Sequence, residues 1–246
     1  MNNPFSLSGK TILVTGASSG IGRGIAIACA GMGAQLILTG RNITRLQETL
    51  SALEGEGHCY IAADLTDAAQ RAALVAQLPT LHGVVHCAGV GSRVPCKMLT
   101  QEDFDYVMKT NAEAPMLLQA TLLNEKKIAK QASIVFVASA AANMPAAGNA
   151  VYSASKAAII AYAKCLAQEL APRQIRVNSI SPTMVWTDLA LVGASAEQLT
   201  EAEKQYPLKR YGQPQDIAHL SIYMLSDASQ WMTGSDVQIT GGSQML

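Results

Sequence analysis

The sequence is poor in charge, and the charges it has are balanced. Only 15% of its 246 residues are charged, and 18 basic side chains are matched by 18 acidic ones, so the formal net charge is zero. A chain with 49% hydrophobic residues and no net charge does not have the composition of a disordered protein. Zero net charge also provides no overall basic character for nucleic acid or an anionic membrane, so we expect neither as a partner.

The sequence also lacks long apolar runs and clustered metal ligands. No stretch reaches the roughly 18 apolar residues that a membrane-spanning helix needs, and the N-terminal MNNPFSLSGK has no secretory pattern. The five cysteines form no CxxC pair and the four histidines show no ligand spacing, so we expect neither a metal site nor a disulfide framework. These features favour a cytoplasmic protein.

What the sequence does contain is an alternation of short apolar segments with longer helical patterns. Several of the short segments are apolar on both faces, which is typical of parallel strands covered by helices. Strands are predicted at 11–14, 35–39, 58–62, 83–87, 133–138, 176–180 and 237–239, and helices at 22–32, 41–53, 68–77, 101–124, 153–170 and 214–225. The alternation predicts one α/β domain over residues 1–246, with a Rossmann-type doubly wound parallel sheet of about seven strands and helices on both faces. Residues 182–212 contain no predicted strand, and we expect them to form a substrate lid.

The first predicted strand leads into a glycine-rich turn, TGASSGIG, at residues 15–22. Gly16 allows a tight turn, Gly20 allows the backbone to approach a pyrophosphate, and Gly22 allows close packing of the helix on the sheet. The turn opens the first helix, where free N–H groups and the helix dipole favour a phosphate. It therefore predicts a nucleotide site, whose expected contacts are Gly16, Ser18, Ser19, Gly20, Ile21 and Gly22.

The residues after the second strand bear on which nucleotide is bound. Enzymes that use NAD usually carry an acidic residue there, which binds the ribose hydroxyls and would repel a 2′-phosphate. Gly40 stands at that position and Arg41 follows it, and a guanidinium can pair bidentately with a phosphate. Together with the Ser19 hydroxyl, these residues favour NADP(H) over NAD(H). The alternative is that Arg41 caps the next helix or is simply solvated.

Further motifs follow the turn in a fixed order, and together they resemble the short-chain dehydrogenase/reductase family over nearly the whole chain. In chain order they are Asp64-Leu65, Ala88-Gly89, Asn111, Ser139, Tyr152-x-x-x-Lys156, Ser181-Pro182, Thr187 and Thr240-Gly241-Gly242. Two positions depart from the family pattern. His86-Cys87 replaces a pair of asparagines, and Thr183 replaces a glycine, so we expect an ordinary φ at Thr183.

The resemblance implies how the rest of the cofactor is held. Asp64 would bind the adenine amino group, and the backbone of Leu65 would add a contact. Ala88 and Gly89 would lie against the nicotinamide ribose. The nicotinamide carboxamide would be bound by two lid residues, Val185 and Thr187.

Tyr152 and Lys156 predict proton transfer. They are four residues apart in a helical pattern, so the phenol and the ammonium lie on one helix face. A neighbouring ammonium favours the phenolate, which suits Tyr152 to exchange a proton with a carbonyl or alcohol oxygen. By resemblance, Ser139 hydrogen-bonds that oxygen, Lys156 also binds the ribose, and Asn111 holds a water that relays protons to Lys156. The set predicts reversible hydride transfer between the nicotinamide and a carbonyl or secondary alcohol, with no metal.

The sequence leaves the substrate open. Residues 206–218 resemble the corresponding part of 3-oxoacyl-acyl-carrier-protein reductases, but sugar-alcohol and steroid dehydrogenases share that pattern. One group of side chains could bind an acidic carrier protein or be a solvated helix end: Lys126, Lys127, Lys130 and Arg173. A second group could touch substrate or only pack the lid: Met184, Trp186, Leu189, Leu191 and Val192. A nucleotide-binding sensor without activity is a more remote alternative.

Two predicted helices carry more apolar surface than one sheet face needs, which predicts a paired-helix interface. The resemblance implies that the chain assembles as a homotetramer. The apolar residues concerned are Met108, Met116, Leu117, Leu122, Ala157, Ala158, Ile159, Ala161, Tyr162 and Cys165.

Overall fold

The computed structural model describes residues 3–191 and 195–243. Within them, seven parallel strands form one sheet in the order β3-β2-β1-β4-β5-β6-β7. The strands are β1 (Thr11–Thr15), β2 (Gln35–Gly40), β3 (Cys59–Ala62), β4 (Leu81–His86), β5 (Ile128–Val137), β6 (Arg176–Pro182) and β7 (Asp236–Ile239). The predicted doubly wound parallel sheet is confirmed.

The described chain also forms eight α-helices, most of which connect successive strands. They are α1 (Gly20–Gly31), α2 (Ile43–Ser51), α3 (Ala68–Gln77), α4 (Gln101–Met108), α5 (Ala114–Asn124), α6 (Ala150–Leu170), α7 (Ala196–Glu203) and α8 (Pro214–Leu225). None of the helices that the structure describes is long and apolar enough to cross a membrane.

The sheet carries a hydrophobic core on each face. Successive residues of β1 alternate between the two cores: Ile12 and Val14 pack with residues of α1 and α8, whereas Leu13 packs with residues of α5 and α6. All three side chains are fully buried. Burial on both faces explains why the strands are almost continuously apolar in sequence.

Three elements differ from the prediction. Strand β5 begins at Ile128 rather than at 133, where the exposed polar residues Lys130 and Gln131 interrupt the apolar pattern. Gln131 has a left-handed φ of 63°, and the β4–β5 register shifts nearby. The single helix expected at 101–124 is divided by a π-helical turn, Lys109–Glu113, between α4 and α5. The segment predicted to be a lid, residues 182–212, contains α7, which was not predicted, although Ser195 and Gln198 form the capping box that marks its start.

The apolar faces expected to pair between subunits are partly used inside the subunit. Ile159 and Leu122 are buried in the core, so the prediction that they form an interface is wrong. The Tyr162 hydroxyl donates to the carbonyl oxygen of Met116, which joins α6 to α5. Leu117 stays exposed, and the oligomeric state remains a prediction.

The strand order places a crevice beside β1. Strand β1 lies between β2 and β4, so the connections leaving these strands diverge to opposite sides of the sheet. Ligands of open parallel sheets bind at such a point, outside the carboxyl ends of the strands.

Candidate active site

A cleft of about 640 Å³ opens at the carboxyl ends of the strands. Its walls include all residues predicted to bind the cofactor and all the predicted catalytic residues except Asn111. These lining residues are Gly16, Ser18, Ser19, Gly20, Ile21, Gly22, Arg41, Asp64, Leu65, Ala88, Gly89, Ser139, Tyr152, Lys156, Val185 and Thr187. The structure therefore brings together residues that span most of the chain.

The glycine-rich turn is packed against the turn that follows β4. Gly16 has a φ of 66°, and a Cβ built on it would lie only 2.8 Å from the Cα of Ala88. The Thr15 hydroxyl oxygen accepts from the backbone N–H groups of Cys87 (3.0 Å) and Ala88 (3.1 Å). Thr15 was not singled out from the sequence; its position at the end of a buried strand is the signal that could have found it.

The other two glycines keep the N-terminus of α1 open. A Cβ on Gly22 would overlap the carbonyl oxygen of Gly16, so the close packing here is against the turn and not, as expected, against the sheet. Gly20 has a φ of 52°, and a Cβ on it would lie 3.0 Å from the Thr187 methyl group. Ser19 precedes α1 and its side chain makes no capping hydrogen bond. The first-turn N–H groups and the Ser19 hydroxyl are thus available to an anion.

Arg41 lines the cleft just after the end of β2, with its charge available. Asn42 caps α2, accepting from the N–H of Arg45, which excludes the alternative that Arg41 is the cap. Among the residues described, Arg41 forms no ion pair. Gly40 has ordinary space around it, since a Cβ would lie 3.5 Å from the Ser18 hydroxyl.

An ion pair crosses the mouth of the cleft. Arg45, on α2, donates to the Asp188 carboxylate of the lid at 2.9 Å, and both residues line the cleft. Both side chains are exposed and far apart in sequence, so no sequence pattern indicated their contact.

Asp64 is held as an anion at the edge of the cleft. Its carboxylate accepts from the N–H (2.9 Å) and the hydroxyl (2.7 Å) of Thr66. Burial acts to raise the pKa of this carboxyl, but the two Thr66 hydrogen bonds and the Arg41 charge outweigh it and lower the pKa below its usual value. Asp67, not Asp64, caps α3. The carbonyl oxygen of Leu65 accepts from Arg71, so a ligand contact at Leu65 falls to its N–H.

Ser139, Tyr152 and Lys156 lie together in the inner part of the cleft. Helix α6 begins at Ala150, so Tyr152 is in its first turn and Lys156 follows one turn later. The Lys156 ammonium is buried, donates to the carbonyl oxygen of Val137 at 3.0 Å, and lies 5.9 Å from the Tyr152 ring centre. The Ser139 hydroxyl oxygen accepts from the N–H of Ala141 at 3.1 Å, which leaves its proton to donate elsewhere.

Asn111 lies behind the cleft wall, in the π-helical turn. Its amide brackets Val90, accepting from the N–H (2.8 Å) and donating to the carbonyl oxygen (2.9 Å), and it also donates to the Ser155 hydroxyl at 3.1 Å. Gly89 separates Asn111 from Lys156: a Cβ on Gly89 would lie 3.2 Å from the Asn111 amide oxygen and 3.3 Å from the Lys156 ammonium.

Of the four apolar residues of the predicted lid that the structure describes, Met184 and Leu189 line the cleft. Trp186 instead donates to the Glu203 carboxylate at 2.8 Å and packs beside Tyr211, so it stabilises the lid. Leu191 is exposed and does not line the cleft, and Val192 lies outside the described residues.

The sequence analysis made predictions for three more residues of this segment: an ordinary φ at Thr183, and contacts with the nicotinamide carboxamide at Val185 and Thr187. The backbone at Thr183 has an ordinary φ, as predicted. The Thr187 hydroxyl donates to the carbonyl oxygen of Val185 at 3.3 Å.

The surface proposed for a carrier protein is largely engaged in the fold. Lys127 donates to the carbonyl oxygen of Leu78, and Arg173 donates to that of Ile128. These two cations therefore bind the end of α3 and the start of β5, and only Lys126 and Lys130 are exposed. Residues 3–191 and 195–243 contain no cluster of three metal-ligating side chains.

Comparison with known proteins agrees with this architecture. The family model described as Enoyl-(Acyl carrier protein) reductase matches residues 16–244. The L-xylulose reductase of Caenorhabditis elegans is 33% identical over 97% of both chains. The D-threitol dehydrogenase of Mycolicibacterium smegmatis is 34% identical, covering 97% of this chain and 94% of its own. A 3-oxoacyl-acyl-carrier-protein reductase of Rickettsia conorii is 30% identical over 98% of this chain and 100% of its own.

Solved structures give the same result. The crystal structure of a dehydrogenase/reductase from Sinorhizobium meliloti superposes with a TM-score of 0.89 at 34% identity, covering 97% of this chain and 96% of that one. These relatives are oxidoreductases that act on CH–OH groups or the corresponding carbonyls. The chain is therefore an enzyme of this kind, and it belongs to the short-chain dehydrogenase/reductase family, whose members use NAD(P).

Proposed function

We propose that the enzyme interconverts a carbonyl compound and a secondary alcohol with NADP(H), and that Tyr152 is its acid and base. The observation that supports this most strongly is the shared cleft. Ser139, Tyr152 and Lys156 line the same cavity as the glycine-rich turn, although the turn and the catalytic helix are far apart in sequence.

The residues present fit a dinucleotide. The glycine-rich turn has no room for a Cβ at Gly16 or Gly22, and the open N-terminus of α1 suits a pyrophosphate. Arg41 and the Ser19 hydroxyl would bind the 2′-phosphate, for which Gly40 leaves space. When bound, the nicotinamide would supply or accept the hydride.

The remaining contacts follow the walls of the cleft. Asp64 and the N–H of Leu65 would bind the adenine, and Ala88 and Gly89 would lie against the nicotinamide ribose. The lid residues that would bind the carboxamide are Val185 and Thr187.

The chain's own side chains would carry the proton. The Ser139 hydroxyl has its acceptor side occupied by Ala141, so it donates to the substrate oxygen and fixes its position. Tyr152 gives its proton to that oxygen in reduction and removes it in oxidation. Lys156, buried beside Tyr152, would bind the ribose hydroxyls.

Asn111 acts from behind this group. Two of its hydrogen bonds fix the backbone at Val90 and a third joins it to Ser155, and we assign to it the water that relays protons to Lys156. Residues 182–212 are proposed to be a lid, joined to α2 by the Arg45–Asp188 ion pair.

The surface cations bear on which substrates of the family this enzyme would take. The relatives named above include reductases and dehydrogenases of sugars, polyols and carrier-bound acyl groups. Because Lys127 and Arg173 are bound to backbone carbonyls, the surface does not favour a carrier protein. We propose a small carbonyl or alcohol as substrate, and a homotetramer as the assembly.

The test is the substitution Tyr152→Phe, which keeps the ring and removes the acid. We expect NADPH to bind nearly as well as in the wild type and turnover to be abolished. Tyr162→Phe is the matched control: it removes a hydroxyl bonded only to a carbonyl oxygen on α5, so it should leave turnover almost unchanged. Turnover like that of the wild type in Tyr152→Phe would show that another group transfers the proton.

A further inference from the structure

One charged residue in the cleft has no role in the mechanism above. Among the described residues, the charged side chains lining the cleft are Arg41, Arg45, Asp64, Arg93, Lys156 and Asp188. Arg41, Arg45, Asp64 and Asp188 belong to the end near α2, where Arg45 and Asp188 are paired. Lys156 is buried beneath Tyr152. Arg93 is the charged group that remains.

The segment that carries Arg93 is fixed at both ends. At its start, the Asn111 side chain binds both the N–H and the carbonyl oxygen of Val90. At its end, the N–H of Val94 donates to the carbonyl oxygen of Gly148 at 2.8 Å. Between them, Gly91 is so close to Leu189 of the lid that a Cβ would lie 3.0 Å from the leucine methyl group. The backbone therefore holds Arg93 at the wall between the loop before α6 and the lid.

The surroundings of Arg93 place it at the substrate end of the cleft. The contacts of its segment with Gly148 and Leu189 place Arg93 on the side of the cleft whose lining residues include the uncharged Ala146, Asn149, Met184, Leu189 and Tyr206. Tyr206 packs edge-on against Tyr211, at 4.9 Å between ring centres. Burial raises the pKa of Tyr211, as do Tyr206 and Glu203, whereas the Arg93 charge acts to lower it.

The charge of Arg93 is not neutralised within the described structure. Arg93 is exposed, forms no ion pair there, and no carboxylate lines this end of the cleft. A guanidinium with free donors beside uncharged lining residues can bind the oxygens of a carboxylate or a phosphate. We propose that Arg93 forms an anion subsite at the substrate end, and that the substrate is an oxo or hydroxy compound bearing a carboxylate or a phosphate. This rests on the proposed function, since it names the substrate of the same cleft.

The test compares charged substrates with neutral counterparts. Straight-chain oxo acids of increasing length are paired with their methyl esters, and ketose phosphates with the free ketoses, and NADPH oxidation is followed for each. In the carboxylate series or in the phosphate series, the wild type should prefer the anionic compound by roughly ten- to a hundredfold in kcat/KM. This is the change in affinity that one charge-assisted hydrogen bond contributes. The preferred arm distinguishes a carboxylate from a phosphate.

Three variants show whether Arg93 is responsible. Arg93→Gln should lose the preference through KM, with the neutral substrates unchanged, and Arg93→Lys should keep part of it. Lys97→Gln, three residues beyond the end of this segment and outside the cleft, should keep all of it. A wild type without preference in either arm, or an Arg93→Gln enzyme that retains it, would overturn the proposal.

A binding measurement separates this inference from the proposed function. The same compounds are titrated calorimetrically into the complex of the enzyme with NADP⁺. If anions bind through Arg93 but are never reduced, the anion subsite is supported and the proposed reaction is contradicted. If neutral compounds bind and are reduced to the same extent as the anions, the proposed reaction is supported and the anion subsite is contradicted.

Discussion

His86 makes the stability of this protein depend on pH in a window that the structure defines. The imidazole is buried beneath the turn that follows β4 and stacks on Phe136, with 4.5 Å between ring centres. Its Nε2 lies 3.0 Å from the Gln119 side-chain oxygen, so that nitrogen carries the proton. Its Nδ1 has no partner among the described residues. A second proton on Nδ1 would therefore create a buried charge with an unsatisfied donor.

The size of the effect follows from the pKa. Burial lowers the pKa of His86 from 6.5 to about 4, and the Gln119 hydrogen bond offsets this only in part. Between these two values the unfolded chain binds a proton that the folded chain does not, so stability falls as pH decreases through the window. From pH 7.5 to pH 4.5 the loss from this one group is about 2.5 kcal/mol.

The assay is urea unfolding followed by circular dichroism at several pH values between those limits, at one protein concentration. His86→Gln removes the titrating group, so the fall in unfolding free energy across the window should be smaller than in the wild type by about 2.5 kcal/mol. His219→Gln, which changes an exposed histidine on α8, should leave the fall as it is. Equal falls in the wild type and in His86→Gln would refute the reasoning.

Two further predictions concern the turn and the lid. Gly16→Ala places a Cβ 2.8 Å from Ala88 at a φ of 66°, so unfolding experiments should show a loss of about 2–5 kcal/mol. Gly148→Ala, with a φ of 84° but nothing within 4 Å, should lose only about 1–2 kcal/mol, and a similar loss in both would contradict the close packing. Asp188→Asn breaks the ion pair with Arg45, so stopped-flow displacement should show NADPH leaving roughly two- to fivefold faster, with stability almost unchanged. An unchanged release rate would show that the pair does not close the cleft.

Much of the fold could be predicted because burial on both faces leaves a strong sequence signal. The strands and the order of the helices followed from apolar segments such as the one in β1. What escaped prediction depends on local backbone or side-chain detail. The polar, exposed Lys130 and Gln131 interrupt the apolar pattern at the start of β5, and the polar composition of α7 conceals a helix whose capping box is its clearest mark.

The site residues divide in the same way. Tyr152 and Lys156 belong to an ordered motif and could be picked out from the sequence, and both line the cleft that the glycine-rich turn also lines. Those that act through contacts between distant segments could not. Arg45 meets the lid only in the folded chain, Trp186 turns away to Glu203, and Arg93 reaches the cleft because its backbone is fixed from both sides.

The most direct test of the account is the binding of NADPH and NADH to the wild type, Arg41→Ala and Gly40→Asp, measured as dissociation constants. The wild type should prefer NADPH. Arg41→Ala should weaken NADPH by roughly ten- to a hundredfold and change NADH little, because only NADPH carries the 2′-phosphate that Arg41 would bind. Gly40→Asp should go further, since its carboxylate would stand near Ser18, against the phosphate, and could accept from the NADH ribose. A wild type that prefers NADH, or an Arg41→Ala enzyme that loses both cofactors equally, would contradict the assignment of this cleft to NADP(H).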